Sequence, residues 1–418
     1  MSDQPARPQP TTETNRVAVR VTKDALRQIR GGHPWVFDAS IVKAGAGAPG
    51  DLAVIFDDDR RFAAIGLWDP DSAIPVKVLH HGEPASIDRA FWAGRIAAAL
   101  VRRAELAASK STTGYRLIHG ENDGLPGVAV DRYADTLVMK MYSAAWFCHA
   151  ELICDVLAEQ MTVDRIVVRL SRTLQLLPTH LLADGRPVLD GATILGVPGP
   201  NRVEFIEGGL SFEADTVDGQ KTGFFLDQRD NRQRVRARAA GRRVLDVFSC
   251  TGGFSVNAAA GGAELVHSVD ISQGALDAAK RNMARNTDRP NVAACRHELT
   301  TGDAMAVMHR MGDARRLFDM VIVDPPSFAS RRSQVAGALE SYTRLTELAL
   351  GLLVSGGTLV QASCSSHVTA EEFTAVVREG AANAGVELTD VVTTGHGIDH
   401  PVGFAQGAYL KAIYARAI

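Results

Sequence analysis

Two apolar runs in the second half of the chain stop on residues able to do chemistry. "FDMVIVDPPSF" ends on Asp324-Pro325-Pro326-Ser327, and "GGTLVQASCSSHV" ends on Ser363-Cys364-Ser365. A thiol and a carboxylate therefore stand at two strand ends that have to be explained together. Three further acids follow the same habit: Asp246 before the turn Thr251-Gly252-Gly253, Asp270 followed by Ile271 at the end of "LVHSVDIS", and Asp303 in "TTGDAM". In an open parallel sheet, ligands bind beyond the carboxyl ends of the strands. The first turn is not GxGxxG and an acid precedes it, so a pyrophosphate is not the obvious guest. Asp270 lies 24 residues after Asp246, a spacing suited to a carboxylate that accepts from a ribose diol. The set suits a ligand that carries an ammonium, a sulfonium, a ribose and an adenine amino group, namely S-adenosylmethionine. Each Asp taken singly also reads as a helix N-cap or turn residue; their common register in the sheet favours the cofactor.

The elements that must position these residues follow from composition and rhythm. A chain of 418 residues is too long for one ordinary core and favours two or three domains. Hydrophobic content of 46% with 22% charged residues is that of a soluble protein, and no apolar stretch approaches a membrane span. The polar, proline-containing residues 1–15 read as a disordered tail and not as a signal peptide, which predicts a cytoplasmic location. Five scattered cysteines without a CxxC pair argue against a disulfide framework or a zinc site. The net charge of −3 invites no polyanion globally, but seven arginines against one acid fall between Arg229 and Arg243. That run reads equally as a solvated helix face or as a nucleic-acid contact.

Short apolar runs punctuated by Gly, Asp and Pro predict a small β domain over 16–85. Apolar residues at intervals of three and four predict a helix from Ile87 to Ala108, opening a central α+β domain over 86–200 in strand, strand, helix, strand order. A connecting hairpin and closing segment occupy 201–241. From 242 to 418, apolar strands alternate with amphipathic helices, as in a parallel sheet covered on both faces. "YTRLTELALGLLVSGG" reads there as a helix, and the last two strands, with no helix between them, as an antiparallel hairpin.

On six motifs in order, "GHPWVF", "GENDGLPGVAVDRY", "QKTGFFLDQRDNR", "DVFSCTGGFS", "VDPPSF" and "SCSSHV", the chain resembles PUA-domain-containing 23S ribosomal RNA cytosine-C5 methyltransferases of the RlmI type. The resemblance covers nearly the whole chain after the tail. It implies an α/β fold class: a PUA-like RNA-binding domain, an EEHEE-like central domain and a Rossmann-like class I methyltransferase domain. It also implies S-adenosylmethionine as cofactor and large-subunit ribosomal RNA as partner, with no metal and no membrane, and it leaves a homodimer open. The segment from Gly223 to Arg229 matches the motif that closes over the cofactor, which adds Phe225 and Gln228 to the cofactor-binding set of Asp246, Thr251, Gly252, Gly253, Asp270, Ile271, Asp303 and Asp324.

The site must still make chemical sense. Carbon 5 of cytosine is a poor nucleophile, and a thiolate adding at carbon 6 converts the ring to an enamine that can attack a methyl group. Cys364 is the expected nucleophile, activated by an electropositive site or by the helix start near Val368. Asp324 is the expected partner for N3 and the exocyclic amine of the base, and Pro325 and Pro326 stiffen its loop. Related enzymes with two cysteines carry the second directly after the Asp-Pro pair, where this chain has Pro326, so the base that takes the carbon 5 proton is unassigned and His367 is a candidate. Cys250 reads as packing. The target base must leave its stack to reach the pocket. Two rival readings stand beside this one: an RNA N-methyltransferase that needs no thiolate, and a non-catalytic RNA-binding assembly factor.

Overall fold

The alternation of apolar strands and amphipathic helices from Arg243 onward folds as one seven-stranded sheet. In the computed structural model, which describes residues 15–182, 184–329 and 331–418, the strands are β1 (Arg243–Val247), β2 (Leu265–Asp270), β3 (Arg296–Thr301), β4 (Phe318–Val323), β5 (Leu353–Ser363), β6 (Leu388–Thr394) and β7 (Lys411–Ala417). Their order across the sheet is β3-β2-β1-β4-β5-β7-β6. The first five are parallel, whereas β7 runs antiparallel between β5 and β6. The expected hairpin is present, with its second strand inserted next to β5.

Helices α1 (Gly253–Ala260), α2 (Gln273–Ala284), α3 (Ala304–Asp313), α4 (Val335–Gly351) and α5 (Ala370–Asn383) connect these strands. Leu245, Val247, Val321, Val323 and Leu359 of the sheet join Tyr342 and Phe373 of the helices in one buried core. Cover on both faces is why these strands read as continuous apolar runs. Register then sets the site: Val247 pairs with Val269 and Val323, and Val323 pairs with Gln361. The segments leaving β1, β2, β4 and β5 therefore start side by side.

One boundary differs from expectation. β5 begins at Leu353, inside the stretch read as helix, because Leu353 pairs with Phe318 while Thr358 pairs with Met320. The residues between form a bulge that includes Gly356 at φ 78°. The Gly356-Gly357 pair, included in the stretch read as helix, is a break in a strand.

Ahead of this sheet lie a six-stranded sheet whose strands run from Arg16–Val21 to Val76–His81, and a five-stranded sheet from Gly114–His119 to Thr193–Gly196. Helices Arg89–Arg102 and Ala150–Gln160 fall before and within the second, and the two-stranded pair Arg202–Glu207 and Leu210–Asp215 follows. The tail expected over 1–15 lies outside the described residues except for Asn15. By compactness the chain separates into two units, residues 1–105, 116–203 and 215–223, and residues 106–115, 204–214 and 224–418. Among the described residues, no helix is long and apolar enough to cross a membrane, and no group of His, Cys, Asp or Glu could hold a metal.

The arginine run starts with the helix Arg229–Arg236, and part of it fits neither reading offered by the sequence. Arg229 and Arg232 are buried. Arg229 makes two hydrogen bonds of 2.9 Å to Asp399, and Arg232 is 2.6 Å from Glu207. These two cations are structural. Arg234 and Arg238 remain on the exposed face.

Candidate active site

The loop from β1 to α1 turns through left-handed conformations at Phe248 (φ 62°), Cys250 (φ 47°) and Gly252 (φ 78°). A Cβ on Gly252 would stand 2.8 Å from that of Ala279 on α2, so only glycine fits there. Non-glycine residues in this region are strained and need to be held by their surroundings. The hold comes from Asp270, whose Oδ2 accepts the Cys250 backbone N–H at 2.9 Å, and from Asn282, whose side-chain amide donates to the Thr251 carbonyl at 2.9 Å. The other Asp270 oxygen accepts from the Ser272 N–H at 2.9 Å. Each carboxylate oxygen can accept a second donor.

Asp246 is 1% exposed; its Oδ2 accepts from the Ser255 hydroxyl at 2.6 Å, and its Oδ1 has no hydrogen-bond partner among the described residues. Burial pushes the carboxyl up to about 7; the Ser255 hydrogen bond opposes the rise, and the charges of Asp324 and Asp270 add to it. A buried acid with one unsatisfied oxygen among other acids is suited to a ligand that brings N–H donors and positive charge. Ile271 is 76% exposed beside Asp270, an apolar surface at the mouth of the same strand end. Asp303 is exposed and serves as the N-cap of α3, accepting from Ala306 at 2.9 Å. Its structural role is thus filled by one oxygen.

Beyond β4, Asp324 is half-buried, and its Oδ1 accepts from the Gln228 amide at 2.9 Å. The Gln228 carbonyl oxygen accepts from Asn231 at 2.6 Å, and Asn231 accepts from the Thr394 hydroxyl at 2.6 Å. Gln228, assigned from the motif to the cofactor, has both ends of its amide engaged within the protein and orients Asp324. Phe225 is half-buried, and its carbonyl accepts from Arg232 at 2.8 Å.

The two strand ends that opened the sequence reading are joined by Ser365, which is fully buried. Its hydroxyl accepts from the backbone N–H of Phe328 at 3.2 Å and of Ala329 at 3.3 Å, and lies 2.9 Å from the Tyr342 hydroxyl. Cys364 Sγ lies 3.9 Å from the Pro325 carbonyl oxygen. The cysteine therefore sits against the Asp-Pro-Pro loop. Ser365 and Tyr342 escaped the sequence reading; the only signal was a pair of serines flanking the cysteine. None of the five cysteines forms a disulfide. Burial pushes the thiols of Cys148, Cys250 and Cys295 up to about 11 and also raises that of Cys154, so none of these four is poised as a nucleophile near neutral pH.

The helix start expected to activate Cys364 is occupied otherwise. α5 opens with a capping box between Thr369 and Glu372, and its first turn carries Glu371 and Glu372. The N–H groups of Thr369 and Glu372 are engaged by each other's side chains, and the local charge is negative. His367, in the segment between, is exposed.

Comparison with known proteins bears on the fold and the cofactor. Residues 178–392 match the family model described as S-adenosylmethionine-dependent methyltransferase, and residues 19–81 match a PUA-like domain. The chain is 44% identical over 410 residues to a "Ribosomal RNA large subunit methyltransferase" of Deinococcus radiodurans, covering 97% of this chain and 98% of that protein. It is 36% identical to a "Ribosomal RNA large subunit methyltransferase I" of Shewanella amazonensis, covering 92% and 95%. Among solved structures, a methyltransferase in complex with SAH superposes with a TM-score of 0.79 at 21% identity, covering 96% of this chain and 100% of that one, which shows a shared fold. The chain belongs to the family of PUA-domain, S-adenosylmethionine-dependent methyltransferases whose members include proteins named ribosomal RNA large subunit methyltransferase and ribosomal RNA large subunit methyltransferase I.

Proposed function

We propose that this methyltransferase modifies carbon 5 of a cytosine in large-subunit ribosomal RNA, in the cytoplasm, through a covalent adduct with Cys364. The names of the relatives support the class of RNA. The observation that carries the chemistry is Cys364 Sγ against the Pro325 carbonyl, next to Asp324. The PUA-like domain and the exposed arginines Arg234 and Arg238 are assigned to the RNA backbone.

The acids fit the cofactor on their own chemistry: Asp246 offers a buried, unsatisfied oxygen, Asp270 a fixed carboxylate for a diol, and Ile271 an open apolar face. S-adenosylmethionine, when bound, supplies an electrophilic sulfonium methyl group and departs as S-adenosylhomocysteine. Asp246, Thr251, Gly252, Gly253, Asp270, Ile271, Asp303 and Phe225 are assigned to holding it, with Gln228 acting through Asp324.

Cys364, as thiolate, forms a bond to carbon 6, and the electron pair of the 5,6 double bond becomes available at carbon 5. Asp324 shares a proton with N3 and accepts from the exocyclic amine, which stabilises the charge that addition pushes into the ring. Carbon 5 gains the methyl group. Loss of its proton to a base re-forms the double bond and expels the thiolate, so the enzyme ends as it began. Gln228 fixes the Asp324 carboxylate beforehand, which removes a reorganisation step from the reaction.

Two measurements check this reading. Cofactor affinity should fall as pH drops through about 7, where Asp246 takes up its proton in the free protein, because the ligand's positive charge favours the ionised acid. Calorimetry in buffers of different ionisation enthalpy should accordingly show proton release on binding near pH 7; pH-independent affinity would remove Asp246 from the cofactor site. A large-subunit RNA fragment bearing 5-fluorocytosine at the target position should form an adduct that survives denaturing electrophoresis. Methylation without any adduct would favour transfer to nitrogen, and no methylation with intact RNA binding would favour an assembly factor.

A further inference from the structure

The turn that follows Cys364 is held by a group the mechanism above leaves unused. Lys411 lies on β7 opposite Ser363 of β5, and it is 3% exposed. Its ammonium donates to the backbone carbonyls of Ser365, Val368 and Tyr409, which engages all three of its N–H donors. Among the described residues, no carboxylate forms an ion pair with it. A buried cation compensated by carbonyl dipoles alone is expensive to keep out of water, and it gains most from an anion formed beside it. Burial pulls Lys411 down to about 8, and the charges that push back are those of Cys364 and then Glu372.

We propose that the Lys411 ammonium is the fixed counter-charge of the Cys364 thiolate, a positioning residue that shapes the Ser365–Val368 turn through its hydrogen bonds and favours the ionised nucleophile through its charge. The inference rests on the reading of Cys364 as the nucleophile. It supplies what the start of α5, capped and acidic, does not. The other groups around this corner pull the opposite way or are neutral near pH 7. Asp324 from the end of β4 and Glu372 from α5 are acids that disfavour a thiolate. Tyr342 from α4 is a phenol that burial raises above its ordinary value. In the connection from β6 to β7, Tyr409 is another phenol, and burial lowers His396 to about 4, so its ring is neutral at pH 7. His367 is exposed on the turn itself. Lys411 is the cation among them.

The test reads the thiol directly in the full-length chain, without RNA. Iodoacetamide alkylation of Cys364, followed across pH by mass spectrometry of the peptide that contains it, gives the midpoint of thiolate formation. Lys411→Met should move that midpoint upward by about one pH unit or more, the scale expected when one partly screened charge beside a thiolate is removed. Lys411→Arg, which keeps the charge, should stay closer to the parent. An unmoved midpoint in Lys411→Met, in protein that still binds S-adenosylmethionine, overturns the proposal. Should Lys411→Met fail to bind cofactor, a second comparison decides: with Lys411 beside position 364, Cys364→Asp should melt above Cys364→Asn at pH 7, and the reverse order overturns the pairing. The 5-fluorocytosine adduct separates the two claims. A Lys411-dependent midpoint with no RNA trapping keeps the ion pair and removes the carbon 5 reading, whereas trapping with an unmoved midpoint keeps the nucleophile and removes Lys411.

Discussion

Cys364→Ala should bind S-adenosylmethionine and RNA nearly as well as the parent and yet transfer methyl to cytosine slower by on the order of 10⁴-fold or more, the scale seen when a covalent nucleophile is removed. The thiol lies beside the Asp-Pro-Pro loop and is not among the residues of the apolar core around the seven-stranded sheet, so its loss should take a bond-forming group from the chemical step and little from the fold. Single-turnover transfer to a large-subunit RNA fragment, set beside cofactor calorimetry, would show binding and chemistry coming apart. Cys250→Ala is the internal control. Cys250 is held in a left-handed turn by its backbone N–H on Asp270, and burial pushes its thiol up to about 11, so its substitution should leave adduct formation intact. Near-parental rates in Cys364→Ala would place the nucleophile elsewhere.

The largest effect on stability is expected at Asp399→Asn. Arg229, at the start of the helix that carries the arginine run, is 3% exposed, and both oxygens of Asp399 hold it at 2.9 Å. Removing the carboxylate leaves the buried guanidinium with only the half-exposed Asp230 carboxylate, 3.1 Å from its Nε, as counter-charge, and breaking a buried pair typically costs about 3–5 kcal/mol. Chemical denaturation of the parent and of Asp399→Asn would measure it; a difference below about 1 kcal/mol would mean that water reaches Arg229 once the acid is gone. The same pair gives the acid response its sign. Burial opposes ionisation of Asp399, but His400 and Arg229 together hold its carboxyl well below the usual range. A depressed carboxyl contributes stability above its unfolded value near 3.9, and that contribution is lost as pH falls below it. The parent should therefore lose more stability on acidification than Asp399→Asn.

The features legible in the sequence were those whose cause is local. Continuous apolar runs ending on Asp246, Asp270, Asp324 and Cys364 predicted a covered parallel sheet with its chemistry at one end, because strand direction and alternation with helices follow from the run itself. What the sequence hid depends on partners far along the chain. Lys411 sits within the apolar stretch "AYLKAIYARA", and nothing local says that antiparallel insertion sets it opposite Ser363. Gln228 matched a motif, but the motif did not say that its amide would point at Asp324. Arg229 and Arg232 read equally as solvated or as nucleic-acid contacts because a charge run carries no sign of the Asp399 and Glu207 carboxylates that pair with them. The Gly356-Gly357 pair lies in a stretch that reads as helix, and only the register between β4 and β5 reveals the bulge there.

The place of β7 in the sheet has a consequence for the order in which the protein can be made. β5 and β6 are synthesised first, but they cannot close on each other, because the slot between them belongs to a strand that leaves the ribosome last of the three. Until residues 411–417 arrive, the β5 edge that leads into Ser363 and Cys364 is an open row of backbone donors and acceptors, and the turn after the cysteine has no ammonium to fold around. Such an edge invites wrong pairing. A chain interrupted anywhere before Lys411 could still form β1 to β4 and the acids at their ends, but it would lack the strand that sets the cysteine's turn. On the proposed assignment, nascent chains would thus acquire the cofactor-binding acids before the nucleophile, and the potential to hold a methyl donor would precede the ability to spend it.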